Sequence, residues 1–468
     1  MLATAEPGIV LVREWLNCVK SEEFDLLEIF SDKKQDISDN AQDICDKKQE
    51  NCDNGVFQGE VLDPGFPLVS VTTASKIREE DGYYELELKD GVKYIGCIKE
   101  ELGDGEGELQ IPADWTGHWT TGESILRGWF KKGRLEGRVR AESFQDCTTT
   151  ELLFRNGIPH GPYRRFRRDG QLVQYGFHKN GIKVGKHLKV GTGNNSYYLG
   201  NLDSMERLVG QVVFLYPNLQ KTILGEYVDG KMISGVYSDL RDAYMGDEVG
   251  FPTLVFSSER RDKLKFDPST FMRISRTPLQ RDEYESGTVY VKQSRIPFAG
   301  EGLYASRYIE EGQLVCLFNG NRITKTSNRK CVKWGDEDWS DFRLTLDKST
   351  DLDIPGEYQE TRTYSATLGH KACHSFGREK NAMFHEFEHP RFGSIMSVVA
   401  VKPIYKDEEI LVSYNYNICH APPWYQEQWV QHLVNRGLTR ERILAAREKE
   451  EQKNSLIIPD HVFKNIPY

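Results

Sequence analysis

The stretches KKGRLEG (131–137), RNGIPHG (155–161) and KNGIKVG (179–185) set the glycine pairs Gly133/Gly137, Gly157/Gly161 and Gly181/Gly185 on a period of 24 residues without drift. Looser copies extend the pattern both ways, with Gly103/Gly107 upstream and Gly210 and Gly230/Gly235 downstream. A short apolar run with its own glycine precedes the turns, as in YIGCIK (94–99), LRGWFK (126–131) and QYGFHK (174–179). Alternating strands punctuated by Asn-Gly or Asp-Gly read as β-hairpins, because those dipeptides tolerate the positive φ that tight hairpins require. Stacked hairpins form a quasi-one-dimensional sheet in which no single unit buries its apolar face alone. An antiparallel β array over 86–240 is the expectation, and such an array carries no chemistry of its own.

The rest of the composition points to a modular chain. At 468 residues, two or three domains are expected. No apolar run approaches the roughly 18 residues a membrane helix needs, and MLATAEPGIVLVREWLNCVK (1–20) lacks the features of a secretory leader. Nine cysteines, odd in number and without a CxxC pair, indicate neither a disulfide framework nor a zinc ribbon, so a reducing compartment is expected. Of the net charge of −10, residues 22–53 supply −7, from eleven acids and four lysines. That balance argues against nucleic-acid binding and suggests an acidic, partly disordered segment over 1–85, or a surface that attracts basic peptides. YRRFRRDG (163–170) has four arginines, which read as a solvated strand face or as a contact for anionic lipid. Residues 241–285 look like a polar connector and 286–420 form a β-rich domain. The tail at 421–468 is helical, with a break at Gly437.

Within the second domain, LGHKACHSF (368–376) gathers His370, Cys373 and His374. Three readings are open. A closed zinc site wants four ligands, and no second cluster has finger-like spacing. A thiol nucleophile needs a base, yet Cys373 and His374 as neighbours in an extended segment point to opposite faces. The third reading makes the backbone the working part.

The ordered pieces YESGTVYV, AGEGL, FNGNRI, LGHKACHSF, HPRFG and APPWYQ, between about 284 and 426, resemble the SET domain of protein lysine methyltransferases. The upstream repeats resemble MORN repeats, and together they resemble the family of SET domain-containing lysine methyltransferase 7. The resemblance implies a mostly β protein: a MORN array, then a β-rich SET domain with a knotted cofactor site and C-terminal helices. It implies S-adenosyl-L-methionine as cofactor, held by Ala299, Gly300, Glu301, Cys373 and His374, with Trp424 on the adenine and Gln428 nearby. It makes Tyr414 and Tyr416 catalytic, with Phe318 and Phe384 lining the substrate channel, and implies no metal. Basic, lysine-containing proteins such as histone tails are the implied partners of a monomeric protein of nucleus and cytoplasm.

The chemistry suits these residue types. A free lysine, with a pKa near 10.4, is nucleophilic in only about one in a few thousand molecules at neutral pH. An apolar, aromatic-walled channel disfavours the ammonium, and fixed oxygens align the amine. Tyr414 and Tyr416 alternate around Asn415 and are expected on one side of a strand. The sequence departs from the family at the channel. Cys373 stands where Asn is usual, Phe318 and Phe384 where close relatives carry Tyr, and Gln428 where they carry Glu; FGREKNAMF is longer by two. The lost hydroxyls suggest room for di- or trimethylation, or a catalytically weakened scaffold that binds proteins or lipids.

Overall fold

The computed structural model describes residues 7–21, 66–80, 82–115, 122–193, 196–245, 250–257, 263–325, 334–336 and 339–452. The chain divides into two compact units, one of Met1–Gly191, Tyr197–Leu215 and Thr222–Lys263, the other of Thr192–Ser196, Tyr216–Lys221 and Leu264–Tyr468.

In the first unit, strands from Ser75–Glu80 to Pro252–Phe256 pair in the order in which they occur. The repeat glycines explain why. Asn156 and Gly157 have φ of 51° and 80°, closing a two-residue turn between Arg155 and Ile158. Lys132–Gly133 and Asn180–Gly181 do the same one period away, each a turn of the primed type whose twist matches the strands. Gly137, the second glycine of its pair, has φ 74° where the register slips between Gly128 and Trp129, so each repeat couples a turn to a bulge that bends the sheet. Tyr94 packs edge-on to Phe130 at 4.9 Å and donates to the Cys97 carbonyl at 2.7 Å. A Cβ on Gly96 would lie 2.5 Å from the Tyr94 hydroxyl, which is why a glycine follows the aromatic residue in the repeat.

Within the segment 1–85, expected to be acidic and partly disordered, a helix, α1 (Pro7–Lys20), buries Ile9, Val12, Trp15, Leu16 and Val19. Trp15 donates to the Gly250 carbonyl at 2.9 Å and packs on Phe251. The acidic run 22–53 lies outside the described residues. Within the expected connector 241–285, the strand Lys231–Met245 pairs with Pro252–Phe256, and the buried Asp267 accepts from Ser275, Arg276 and Arg273. The basic cluster at 163–170 is partly consumed internally. Arg164, 3% exposed, donates to the Val19 and Ser21 carbonyls at the end of α1 and pairs with Glu151. Arg165 pairs with Glu206, while Arg167 and Arg168 stay exposed.

The second unit is built of small sheets. Leu314–Phe318, Gly393–Ala400 and Ala382–His389 form one, Val289–Gln293 and Glu301–Ala305 a second, and Leu344–Thr345, Thr350–Asp353 and Asn321–Thr324 a third. The first two share a core that includes Leu303, Val315, Ala382 and Val398, joined by Ile410 and Val412. Helix α2 (Glu283–Thr288) is capped by Asp282, which is fully buried and also accepts from the Tyr216 hydroxyl at 2.6 Å. Arg391 of HPRFG, 1% exposed, donates to the carbonyls of Thr277 and Gln280, so this motif fastens 277–282. Helices α3 (Pro423–Asn435) and α4 (Arg440–Gln452) follow, broken at Gly437.

Candidate active site

Cys373–His374 pairs in parallel with Leu411–Val412, which sets the LGHKACHSF segment beside the tail of EEILVSYNY. Asn381 clamps the pair from one side: its Nδ2 donates to the Glu409 carbonyl at 2.8 Å and its Oδ1 accepts from the Leu411 N–H at 2.8 Å. Beyond Val412 the strand ends. The Tyr414 N–H donates to His374 Nδ1 at 3.2 Å and its hydroxyl donates to the Ala372 carbonyl at 3.1 Å, tying Tyr414 to the facing segment at both ends. Asn415 takes φ 52°, so the two tyrosines converge through a left-handed residue and not through strand alternation. Their ring centroids are 5.5 Å apart.

Around them lies an aromatic slot. Phe318 and Phe384 meet edge to face at 5.8 Å, Trp339 packs on Tyr416 at 5.3 Å, and the Tyr416 hydroxyl donates to the Asp341 carbonyl at 2.8 Å. The slot, about 30 Å³, is bounded by Phe318, Phe384, Ala372, Tyr414, Tyr416 and the segment Asp341–Leu344. A larger cavity of about 760 Å³ shares Arg343, Leu344, Phe384, Tyr414 and Tyr416 with it. Burial pushes the Tyr414 phenol well above its ordinary pKa, with Cys373 and Tyr416 adding to the effect; burial and then Asp341 do the same for Tyr416. Both hydroxyls are therefore protonated at neutral pH.

The thiol and imidazole that first suggested chemistry are held apart. Cys373 is buried, which raises its pKa, and its Sγ lies 3.8 Å from the carbonyls of Glu301 and Lys371, with Ser294 also in reach. Burial lowers His374 to about 4, and with Nδ1 accepting from Tyr414 the ring proton belongs on Nε2, which is buried without a hydrogen-bond partner. Neither group is poised as a nucleophile or its base. Among the described residues no three His, Cys, Asp or Glu side chains converge as metal ligands.

The loop before Glu301–Ala305 adjoins this layer. Glu301 pairs with Lys371 at 2.7 Å and accepts from the Thr361 hydroxyl at 2.9 Å. Glu409, 4% exposed, accepts from the Ser294 hydroxyl at 2.5 Å and the Arg295 N–H at 3.0 Å; a Cβ on Gly302 would lie 2.5 Å from its carboxylate. Ala299 and Gly300 remain exposed, and Gly300 has φ 73° with open space where a side chain would be. On α3, Trp424 is 40% exposed with its ring 6.3 Å from that of His374, and the half-buried Gln428 follows one turn later. An accessible backbone, an exposed indole and the orphaned His374 Nε2 form a donor set that fits a flat purine with a polar tail.

The SET domain family model matches residues 300–415. A curated relative, histone-lysine N-methyltransferase SETD7 of Halocynthia roretzi, is 31% identical over 282 residues, covering 57% of this chain and 70% of its own. The chain belongs to the SETD7 family of SET-domain lysine methyltransferases. Solved structures also match locally. A Plasmodium falciparum protein, PFL0690c, shares 18% identity over 28% of this chain and 94% of its own (TM-score 0.19). The active polycomb repressive complex 2 in the basal state shares 22% over 28% of this chain and 15% of its own (TM-score 0.20).

Of the residues singled out in the sequence, Tyr414, Tyr416, Phe318 and Phe384 meet in the slot. Cys373 and His374 back it, Glu301 joins them through Lys371, and Trp424 stands beside His374. Sequence reasoning missed Trp339, Asp341 and Arg343, which wall the cavities, and the positioning groups Glu409, Asn381 and Lys371. The aromatic-rich run WSDFRLTLD (339–347) was the available signal.

Proposed function

We propose that the protein methylates lysine side chains of other proteins, histones among them, with S-adenosyl-L-methionine as donor. The observation that supports this most is the protonated Tyr414–Tyr416 pair at the end of a narrow slot walled by Phe318 and Phe384. When bound, the cofactor supplies an electrophilic methyl group. In this reading Ala299, Gly300 and the backbone of Glu301, Cys373 and His374 hold it, with Trp424 against its purine and Gln428 nearby. The chain's own residues act on the lysine. The slot strips water from the amine, which favours its neutral form. The Tyr414 hydroxyl, already donating to Ala372, has lone pairs to accept from the amine N–H and fix its direction. Neither phenol serves as base, since both hold their protons; the lysine proton leaves by the wider cavity to solvent. Phe318 and Phe384 place no hydroxyl against the amine, which leaves room for a methylated product and for a second or third transfer.

The assay is transfer of labelled methyl from S-adenosyl-L-methionine to histones and lysine peptide arrays by the full chain, read by mass spectrometry. Label on lysine, lost in Tyr414→Phe, is the expected result. A folded protein that binds peptide yet transfers nothing refutes the proposal in favour of a scaffold.

A further inference from the structure

The repeat sheet holds a polar cluster on one of its faces. Arg165 pairs in register with Gln174, and Gln174 with Lys189. Further along the same strands Tyr163 pairs with Gly176, and His178 with Lys183, so these side chains share a face. Arg164 and Tyr175, on the other face, meet α1. Tyr163, Gln174 and His187 are each at most 2% exposed. Yet the Tyr163 hydroxyl, Gln174 Nε2, Arg165 Nε and His187 Nε2 are buried without a hydrogen-bond partner. His187 Nδ1 lies 3.0 Å from the Gly185 carbonyl, which places the ring proton there and leaves Nε2 a bare acceptor. Buried polar groups left unmet are costly unless a ligand or water satisfies them. The charge is unbalanced as well. Glu206 reaches Lys183 at 2.5 Å and Arg165 at 3.3 Å; among the described residues neither cation pairs with a second acid, and Lys189 pairs with none. Burial, followed by the repulsion of Arg165, lowers Lys183 to about 8. Glu206 comes from the turn Asp203–Arg207, where it takes φ 60°, and its side chain is 42% exposed. It enters the cluster from the solvent side through a backbone conformation that side chains other than glycine rarely adopt.

We propose that this face is an anion site for a phosphoryl group, inorganic phosphate or a phosphate monoester, which displaces the Glu206 carboxylate from Arg165 and Lys183. Glu206 is then a resident stand-in that keeps the two cations apart until the ligand arrives. A carboxylate brings one charge and two oxygens to three cations and the donors of Gln174 and Tyr163. A phosphoryl group brings up to two charges and more oxygens, so it matches both the charge and the number of donors. In its protonated form it also carries a hydroxyl that can donate to His187 Nε2, which a carboxylate lacks. The site belongs to the repeat sheet and is independent of methyl transfer.

The test is isothermal titration calorimetry of the full chain with inorganic phosphate, glycerol 1-phosphate and acetate, in chloride buffer of constant ionic strength. Phosphate should bind about tenfold or more tightly than acetate, and Glu206→Gln should tighten phosphate binding about fivefold or more by removing the competing carboxylate. Arg165→Gln and Lys183→Gln should each weaken it about tenfold. All three positions are partly exposed, and far-UV circular dichroism shows whether each variant is folded; Lys183→Gln decides the case if Arg165→Gln is not. Glycerol 1-phosphate binding as tightly as inorganic phosphate identifies a monoester as the ligand, and inorganic phosphate binding alone identifies the free ion; either result supports the site. Phosphate that binds no better than acetate, or a folded Glu206→Gln that binds it no tighter than the parent, overturns the proposal.

Discussion

The hydroxyl of Tyr414 bonds to Ala372 while its backbone N–H bonds to His374, so the ring has little freedom and its oxygen sits at a fixed depth. Tyr414→Phe should keep the fold and peptide binding and lower kcat by about 10²-fold or more, since the lost oxygen acts on the amine in the transition state. At Phe384 the opposite exchange is informative. Phe384→Tyr adds a hydroxyl to the slot and should shift the product toward monomethyl-lysine, seen as a fall in the di- and trimethyl peaks by mass spectrometry. Glu285 lies deeper. It is buried, its Oε1 accepts from the N–H groups of Leu317 and Leu368, and burial raises its pKa well above the ordinary value. The native state thus holds a proton that the unfolded state releases above about pH 4.3, and stability is lost as pH rises from there toward the native pKa. Glu285→Gln, which copies the protonated form, should remove that slope. Its melting temperature relative to the parent should climb between about pH 5 and pH 8; a constant difference would refute the assignment.

Among the elements, α1 gives the clearest energetic prediction. Trp15→Ala removes a ring packed on Phe251 and Tyr175 and an indole bond to Gly250, and should cost the first unit about 3–5 kcal/mol in denaturant titration. Its apolar spacing, Ile9, Val12, Leu16 and Val19, is a helical stripe visible in the sequence, but the acidic run that follows drew the whole segment into one reading. The hairpins were legible because Asn-Gly pairs dictate their own turn geometry with little help from the rest of the molecule. Tyr414, Phe384 and His374, singled out through the family resemblance, were within reach of the sequence because each sits in a quoted local motif. The site was illegible where distant residues meet. Glu301 finds Lys371 across the fold, and Asp341 and Arg343 reach the slot only because the two-residue strand Leu344–Thr345 pairs with Asp351–Leu352. In the connector 241–285, likewise, composition alone does not reveal that the buried carboxylate of Asp267 is satisfied by Ser275, Arg276 and Arg273.

At the scale of the whole molecule, the repeat sheet passes from one strand to the next in sequence order, so each strand is supported chiefly by two neighbours. Hydrogen exchange should show a gradient, with amides of Leu152–Phe154 and Tyr175–Phe177 the slowest and those of Tyr83–Glu87 faster by orders of magnitude. Uniform protection along the array would contradict a chain of nearest-neighbour supports. Thiol exposure varies just as widely: Cys18 and Cys147 are exposed, while Cys316 and Cys373 are buried with raised pKa values. Maleimide reagents at neutral pH will therefore mark the first two and spare the others. Alkylation of Cys373, buried with its Sγ 3.8 Å from the Glu301 carbonyl, is expected to require opening of that contact. The rate of Cys373 alkylation, read by peptide mass spectrometry against Cys18 and Cys147, thus offers a native reporter of that contact's opening without any engineered label.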